Sequence, residues 1–263
     1  MKVCFRVDAS EKIGSGHVMR CLTLARELKK TGAKNYFVTR SHQSNKNKEI
    51  KENADELFSF ETNSVEKNIF ETQYEENLAV SWQQDAEDTI NVLKQIKPDC
   101  LVVDHYSLDV KWHNKIRDYV KSIVVIDDLA NRSFYCDILI DQTYGRKKRE
   151  YDPHVPNHCR LLLGSSYALL RREFKDARIE AIKSRKNKSE INHILISMGA
   201  GINLNLINEI LDALEMLSVN HAYKVSVVIG QSLNAENKER LSKKRIGLEI
   251  SLLNNVFSSL DIS

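Results

Sequence analysis

A glycine turn followed at once by a histidine is the feature of this chain best suited to chemistry. Gly14 and Gly16 lie between an alternating apolar segment, residues 2–8, and an apolar pattern of helical spacing that begins at His17. Glycines let a ligand approach the backbone closely, and the N–H groups at a helix start attract anions, phosphates above all. Because a histidine exchanges protons near neutral pH, the sequence predicts a phosphate-binding turn with a proton carrier beside it.

Short apolar runs alternate with helix-patterned stretches along the chain, and several of these runs end in polar residues. Since these strand-like runs would be apolar on both faces and alternate with helices, they predict an α/β fold with a parallel sheet that helices cover on both faces. Ligands of such sheets bind outside the carboxyl ends of the strands, so the polar residues there are expected to meet the glycine turn. These residues are Asp8, Asp104, His105, Tyr106 and the pair Asp127 and Asp128.

A weakly patterned stretch, about residues 142–188, separates two alternating series, and we place the domain boundary within it. The prediction is two Rossmann-like domains, residues 1–155 with the histidine and residues 156–263 with a second glycine turn. That second turn contains Gly199 and Gly201 and is a candidate anion site, with ordinary turn geometry as an equal alternative. The chain stops where a further strand would begin, so we expect an incomplete second domain.

Composition argues against several classes of function. A net charge of +3, with basic runs that lack interleaved aromatic residues, argues against nucleic acid as a partner. No stretch approaches the roughly 20 apolar residues of a membrane span. The five cysteines are scattered without a Cys-x-x-Cys pair, as in a cytoplasmic protein with reduced thiols. We therefore expect a cytoplasmic monomer that acts on a small molecule.

Cofactor and metal chemistry are also not expected from the motifs. Met19 stands where the dinucleotide fingerprint has its third glycine, which disfavours a nicotinamide site. His105 has no second histidine three or four residues away, the spacing at which a helix presents two metal ligands; His113 is eight residues on. Each remaining feature has an ordinary alternative: His17 as a hydrogen-bonding residue of the helix start, and Asp127 with Asp128 as a capping pair.

The assembled motifs are more specific than any one of them. In chain order they are Arg6-x-Asp8, Ile13-Gly-x-Gly-His17-x-x-Arg20-Cys-Leu-x-Leu-Ala25, Val103-Asp-His-Tyr106, Ile126-Asp-Asp128, Cys136-Asp137 and Gly164-x-x-Tyr167-Ala-Leu-Leu-Arg171-x-Glu173-Phe174. This set resembles the UDP-sugar hydrolases of pseudaminic acid biosynthesis, a family similar to the glycosyltransferase that completes lipid II and of the same two-domain GT-B architecture. The likeness runs along the whole chain and is stronger in the N-terminal half.

The resemblance implies hydrolysis of UDP-2,4-diacetamido-2,4,6-trideoxy-β-L-altropyranose to the free sugar and UDP, with inversion and without a metal ion or other cofactor. It implies that His17 and Tyr106 line the reaction centre. The residues expected to bind substrate are those of the two turns and the strand ends: Asp8, Gly14, Gly16, Arg20, Asp104, His105, Gly199 and Gly201. Two alternatives stay open, a GT-B glycosyltransferase with a UDP-sugar donor and a truncated nucleotide-sugar-binding remnant without turnover.

The second half departs from the family in two ways. The family often has Gly-Gly-Ser/Thr-Asp where this chain has Gly199-Ala200-Gly201-Ile202, and Ile202 cannot supply the hydrogen bonds of the aspartate. The family also continues past the position of Ser263 with a segment that helps to hold uridine and phosphate. The resemblance therefore leads us to expect that this sequence is a fragment or a frame-shortened protein.

Overall fold

The computed structural model of the chain describes residues 1–62, 75–186, 190–198, 203–218, 221–229 and 233–254. The chain divides into two compact units, Met1–Leu170 and Arg171–Ser263, each built on a sheet whose paired strands are parallel. The predicted α/β class with parallel strands is confirmed. The boundary predicted after residue 155 falls inside the first unit, because the strand Arg160–Leu163 pairs with the strand before it.

The first unit contains a seven-stranded sheet. Its strands are β1 (Lys2–Val7), β2 (Lys34–Arg40), β3 (Glu56–Phe60), β4 (Cys100–Asp104), β5 (Ser122–Ile126), β6 (Ile138–Asp141) and β7 (Arg160–Leu163). Its α-helices are α1 (Gly16–Lys30), α2 (Asn47–Lys51), α3 (Trp82–Ile96) and α4 (Val110–Ile116), with short 3-10 turns at Glu75–Leu78, Arg117–Tyr119, Lys148–Glu150 and Ser165–Tyr167. The strand order is β3-β2-β1-β4-β5-β6-β7, so the direction of winding reverses between β1 and β4. In a doubly wound sheet this reversal opens the crevice in which ligands bind.

Both faces of the sheet are covered, as the apolar strands predict. On β4, Val102 packs into the cluster formed with α1 and α2, whereas Leu101 and Val103 pack into the cluster formed with α3 and α4. Phe5 and Phe37 stack on the first face with ring centroids 4.7 Å apart, and Trp112 lies fully buried on the second. Alternate side chains of one strand therefore serve two cores, which explains the nearly continuous apolar runs.

The α1 helix begins directly after the glycine turn and buries one face. Val18, Cys21 and Leu22 are buried at helical spacing, as predicted from the sequence. The helix ends at Lys30, and Gly32, two residues on, has a φ of +82° in the left-handed region that glycine adopts without strain. Lys29 and Lys30 lie in the last turn, where cations interact favourably with the helix dipole.

The sequence did not predict β3 and α2. Among the described strands, β3 pairs with β2 alone, with Tyr36 opposite Glu56, and it is partly exposed along its length. An edge strand needs no continuous apolar run, so the pattern that identifies central strands is weak there. The α2 helix is five residues long and buries only Ile50, too little for a periodic signal.

The second unit contains a three-stranded sheet in the order β10-β9-β8. The strands are β8 (His193–Ser197), β9 (Tyr223–Ile229) and β10 (Leu248–Asn254), and the helices are α5 (Arg172–Arg185), α6 (Leu204–Leu217) and α7 (Ala235–Leu241). Its core includes Ile196, Ile207, Leu211 and Val227. The predicted alternation of strands and helices is confirmed for the described part of this unit. Across the described ranges of the chain, the helices lack the combination of length and apolar composition needed to cross a bilayer.

Buried His113 predicts a pH dependence of the stability of the first unit. It lies on α4 between Trp112 and Phe134, and burial together with Arg132 lowers its pKa to about 3. An unfolded chain has a histidine pKa near ~6.5, so between pH 6.5 and 3 the unfolded state binds more protons and stability falls as the pH falls. We expect this residue to contribute roughly 1.4 kcal/mol per pH unit within that window, the value for one proton.

The measurement is urea unfolding at several pH values, followed by tryptophan fluorescence. Both tryptophans of the chain, Trp82 and Trp112, belong to the first unit, so the signal reports that unit. In a His113→Gln variant the free energy of unfolding should change less steeply with pH between pH 6.5 and 4, and the difference in slope should correspond to about one bound proton. Equal slopes for the variant and the wild type would contradict the prediction.

Candidate active site

The glycine turn between β1 and α1 is held by Ser10. The Gly14 N–H donates to the Ser10 carbonyl at 2.8 Å, and the Ile13 N–H donates to Ser10 Oγ at 3.0 Å. Gly14 has a φ of +80°, which favours glycine at this position. No described side chain caps the start of α1, and its first turn carries no acidic residue. A Cβ placed on Gly16 would meet no described atom within 4 Å, so the turn leaves room beside the positive end of the helix dipole.

His17 and Asp104 form the central pair of the site. Because β1 and β4 are neighbours, with Val7 opposite Asp104, the first turn of α1 lies beside the end of β4. His17 Nδ1 lies 2.6 Å from Asp104 Oδ1 and 3.2 Å from Arg20 Nη2, and only 7% of His17 is exposed. Because an ionised carboxylate can only accept, we assign the ring proton to Nδ1, as the donor to Asp104. With the proton on Nδ1, the Nε2 atom of the neutral ring is an acceptor. A carboxylate that fixes a histidine tautomer in this way prepares it to take up a proton.

Arg20 clamps the same carboxylate. It lies three residues after His17 and therefore on the same side of α1. Its Nε and Nη2 donate to the two oxygens of Asp104 at 2.5 and 2.6 Å. Burial alone would raise the pKa of Asp104, but His17 and Arg20 outweigh it and hold that pKa well below its usual range. Asp104 is therefore a carboxylate that orients His17 throughout the neutral range.

Tyr106 and Asp128 complete the group at the sheet edge. The Tyr106 hydroxyl donates to Asp128 Oδ1 at 2.5 Å, and Arg20 Nη1 donates to Asp128 Oδ2 at 2.8 Å. The Tyr106 ring meets the His17 ring edge to face, with centroids 4.6 Å apart and an interplanar angle of 84°. Burial and the Asp128 carboxylate raise the pKa of Tyr106 well above its usual value, so the hydroxyl stays protonated.

Asp8 and His105 follow β1 and β4 at the same edge of the sheet and have protein partners. Both oxygens of Asp8 accept from the Arg6 guanidinium, at 2.7 and 2.9 Å, and the Arg40 N–H donates to Oδ1 at 2.7 Å. His105 Nε2 lies 3.2 Å from Asp8 Oδ2. Arg6 also binds Asp85 of α3. The exposed fractions of Asp8 and His105 are 0% and 4%, so protein groups cover nearly all of their surface, and the substrate-binding role predicted for them stays a prediction.

The two acids after β5 have different partners, which the sequence did not distinguish. Asp127 accepts from the Leu129 and Ala130 N–H groups at 3.1 and 2.9 Å; it holds a turn after β5, and no helix begins in residues 127–137, all of which the structure describes. Asp128 instead faces Tyr106 and Arg20. The sequence did carry one signal for Asp128 as a site residue: an apolar strand followed by an acidic residue occurs at β4 and again at β5.

The structure joins four of the predicted site residues of the first unit in one group of contacts: His17, Arg20, Asp104 and Tyr106. Two further predicted site residues, Asp8 and His105, lie 3.2 Å from each other. Gly14 and Gly16 form the adjoining turn. Gly199 and Gly201 lie outside the described residues, and their role stays a prediction. Among the residues that are described, no three His, Cys, Asp or Glu side chains are arranged to hold a metal ion.

Solved structures define the class of fold. MurG of Acinetobacter baumannii matches with a TM-score of 0.63 at 13% identity, over 99% of this chain and 69% of that chain. A glycosyltransferase from Rickettsia africae gives 0.56 at 14% identity, over 99% and 70%. UDP-N-acetylglucosamine 2-epimerase from Rickettsia bellii gives 0.53 at 17% identity, over 100% and 70%. The chain therefore has the α/β fold found among GT-B glycosyltransferases and epimerases.

Two curated relatives narrow the comparison. UDP-2,4-diacetamido-2,4,6-trideoxy-β-L-altropyranose hydrolase of Campylobacter jejuni is 30% identical over 190 residues, 72% of this chain and 57% of that protein. An uncharacterized protein of Methanocaldococcus jannaschii is 27% identical over 241 residues, 90% of this chain and 44% of that protein. The chain spans about half the length of these relatives. No protein-family model matches it.

Proposed function

We propose that this protein hydrolyses UDP-2,4-diacetamido-2,4,6-trideoxy-β-L-altropyranose to the free sugar and UDP, a reaction of pseudaminic acid biosynthesis in the cytoplasm. The observation that carries the proposal is the His17 imidazole, oriented by Asp104 at the point where the sheet reverses its winding and beside the open glycine turn. The likeness to the Campylobacter jejuni hydrolase supports the substrate.

The proposed reaction is one displacement at the anomeric carbon. A water oxygen attacks this carbon while the bond from the carbon to the UDP oxygen breaks, and UDP leaves with the electron pair. The attacking water passes a proton to His17 Nε2, the acceptor nitrogen. Because UDP is an anion whose charge is delocalised over the phosphates, it needs no strong general acid, and a single displacement inverts the anomeric configuration.

The glycine turn stabilises the departing diphosphate in this proposed mechanism. As the anomeric bond breaks, negative charge grows on the diphosphate. The N–H groups at the start of α1, next to Gly14 and Gly16, would stabilise that charge, since they lie at the positive end of the helix dipole and lack a side-chain cap. The mechanism that we propose uses no metal ion or other cofactor.

Arg20 and Tyr106 have distinct roles in this proposal. The Arg20 guanidinium already holds two carboxylates and its side chain is 9% exposed, so we assign it to positioning Asp104 rather than to direct substrate binding. Tyr106 lies against His17 and orients the water or the sugar. We further propose that the second unit binds the nucleotide, with Gly199 and Gly201 at its phosphates, and that the protein acts as a monomer.

The decisive experiment incubates the purified full chain with the UDP-sugar in buffer alone and measures free UDP. Release of UDP, with a first-formed sugar of inverted anomeric configuration by proton NMR, supports the hydrolase. A second candidate, a glycosyltransferase, is favoured by the fold shared with glycosyltransferases, and it would release UDP only after a sugar acceptor is added. Binding of the UDP-sugar without release under either condition would indicate a nucleotide-sugar-binding remnant.

A further inference from the structure

We infer that Cys136 and Cys159 form a modification site, a dithiol that a low-molecular-weight disulfide oxidises to an intramolecular disulfide bond. All five cysteines of the chain are free thiols, and the Sγ atoms of Cys136 and Cys159 lie 3.6 Å apart. The two cysteines precede the parallel strands β6 and β7, so they lie at the opposite end of the sheet from His17 and Asp104. The site goes beyond the proposed function and does not depend on it.

The sheet already holds the two sulfur atoms within reach of a bond. In the pairing of β6 with β7, Ile138 lies opposite Arg160, and the Arg160 N–H donates to the Asp137 carbonyl at 2.8 Å. Paired strands lie about 4.8 Å apart, and disulfides join Cα atoms about 4.4–6.8 Å apart. Cys136 belongs to the cluster formed with α3 and α4, and Cys159 packs against that cluster. Side-chain rotation is therefore enough to bring the sulfurs from contact to the bonding distance of about 2.05 Å.

The two cysteines differ in exposure and in acidity. Cys136 is fully buried, whereas Cys159 is partly exposed. With the Cys136 thiol as donor, its hydrogen bond lowers the pKa of Cys159, and the same contact together with burial raises the pKa of Cys136. In exchange with a disulfide the nucleophile is the thiolate. Cys159 is therefore the attacking cysteine, and Cys136 is the resolving one.

The oxidation has two steps, for which oxidised glutathione serves as the low-molecular-weight disulfide. The Cys159 thiolate attacks one sulfur of oxidised glutathione, whose S–S bond breaks and releases one glutathione thiolate. The Cys136 thiol then gives up its proton, and its sulfur attacks that of Cys159 and expels the second glutathione thiolate. In sum, the protein loses two electrons and two protons, and oxidised glutathione gains them as two thiols.

The new bond would brace a segment that reaches the other end of the sheet. Residues 136–159 run along β6 to its carboxyl end and return to the start of β7. Within this segment, Arg146 Nη2 donates to the Asp128 carbonyl at 2.7 Å, and the Tyr151 hydroxyl donates to Asp127 Oδ2 at 2.7 Å. Because a bond that closes this segment restricts the unfolded chain, oxidation should stabilise the first unit.

The test treats the reduced full chain with excess oxidised glutathione and follows it by intact mass and by peptide mapping without reduction. Cys159→Ser and Cys136→Ser separate the two roles, and Cys100→Ser is the matched control. Cys100 is also partly exposed, but burial and the carboxylates of Asp137 and Asp99 raise its pKa to about 11. Tryptophan fluorescence checks the folding of each protein and follows the urea unfolding of reduced and oxidised wild type.

The wild type should lose about 2 Da, and a linked pair of peptides should contain Cys136 and Cys159. Cys100→Ser should give the same result. Cys159→Ser should form no disulfide, whereas Cys136→Ser should stop at a glutathione adduct on Cys159. The urea midpoint of the oxidised wild type should be higher than that of the reduced wild type by about 1 M.

Three results in the folded wild type would overturn the modification site: a stable glutathione adduct, a bond to another cysteine, or an unchanged mass. An unchanged urea midpoint after the bond has formed would overturn the bracing of residues 136–159. The UDP-sugar takes no part in these measurements, so either failure leaves the proposed function intact.

Discussion

Replacement of His17 by asparagine should lower UDP release by about 10²- to 10⁴-fold while the protein folds normally, the range expected when a general base is lost. Asparagine can still donate an amide N–H toward Asp104, so the carboxylate keeps a partner. What disappears is the acceptor nitrogen that takes the proton from water. The loss should fall on kcat, because the imidazole acts on the nucleophile as it reacts and not on the bound UDP group.

The matched control for this prediction is His158→Asn. The His158 side chain is 51% exposed and lies 3.6 Å from Asp137. It does not belong to the group of contacts formed by His17, Asp104, Arg20, Asp128 and Tyr106. This variant should release UDP at the wild-type rate. Tryptophan fluorescence should be the same in all three proteins, because Trp82 and Trp112 both report the first unit. Wild-type turnover by His17→Asn would remove His17 as the base.

The sequence predicted the elements that position this site because central parallel strands leave a strong pattern. Strands β4 and β5 are buried on both faces and read as short apolar runs, and β1 reads as an alternating apolar segment. The glycine turn and the helical spacing after His17 predicted the position of α1. From these elements it followed that polar residues at the carboxyl ends of the strands would lie at one edge. The position of His17 beside Asp104 is an instance of that rule.

The partner of each polar residue could not be predicted, since it depends on the strand order and on side chains from distant parts of the chain. Asp8 and Asp104 both end strands with the same local pattern. Asp8 meets Arg6 and the end of β2, whereas Asp104 meets α1 across the winding reversal. Asp85, which anchors Arg6 from α3, is 79 residues away in sequence and has no local signature.

The winding reversal explains how His17 and Asp104 come to meet at the edge of the sheet. At every other neighbouring pair in the order of the first sheet, the strands are consecutive in sequence; β1 and β4 are the pair that is not. The turn after β1 and the end of β4 therefore meet where no direct connection between the two strands covers the edge. His17 comes from one side of this crevice and Asp104 from the other, so the pair forms only when both halves of the sheet are assembled.

Asp104→Asn should be as damaging to turnover as the loss of His17, and it should also destabilise the first unit. An asparagine offers one acceptor and one donor where His17 and Arg20 both present donors. With the amide oxygen at the Oδ1 position, Arg20 Nε faces an amide N–H and loses its acceptor. With the amide nitrogen at that position, Arg20 Nη2 and His17 Nδ1 lose theirs, and the amide N–H facing His17 Nδ1 would move the ring proton to Nε2, where it blocks proton uptake. We expect a loss of about 10²- to 10⁴-fold in UDP release, with roughly 3 kcal/mol of stability lost because Arg20 keeps a buried charge.

A double-variant cycle separates this orienting role from a merely structural one. If Asp104 acts through His17, then Asp104→Asn should change UDP release less than about threefold in a His17→Asn background, although it still lowers the urea midpoint there. Asp99→Asn is the control at the opposite end of β4, where the carboxylate is 40% exposed and paired with Lys121; it should leave turnover unchanged. Losses that multiply in the double variant would mean that Asp104 contributes to the reaction independently of His17, for example by direct contact with the sugar.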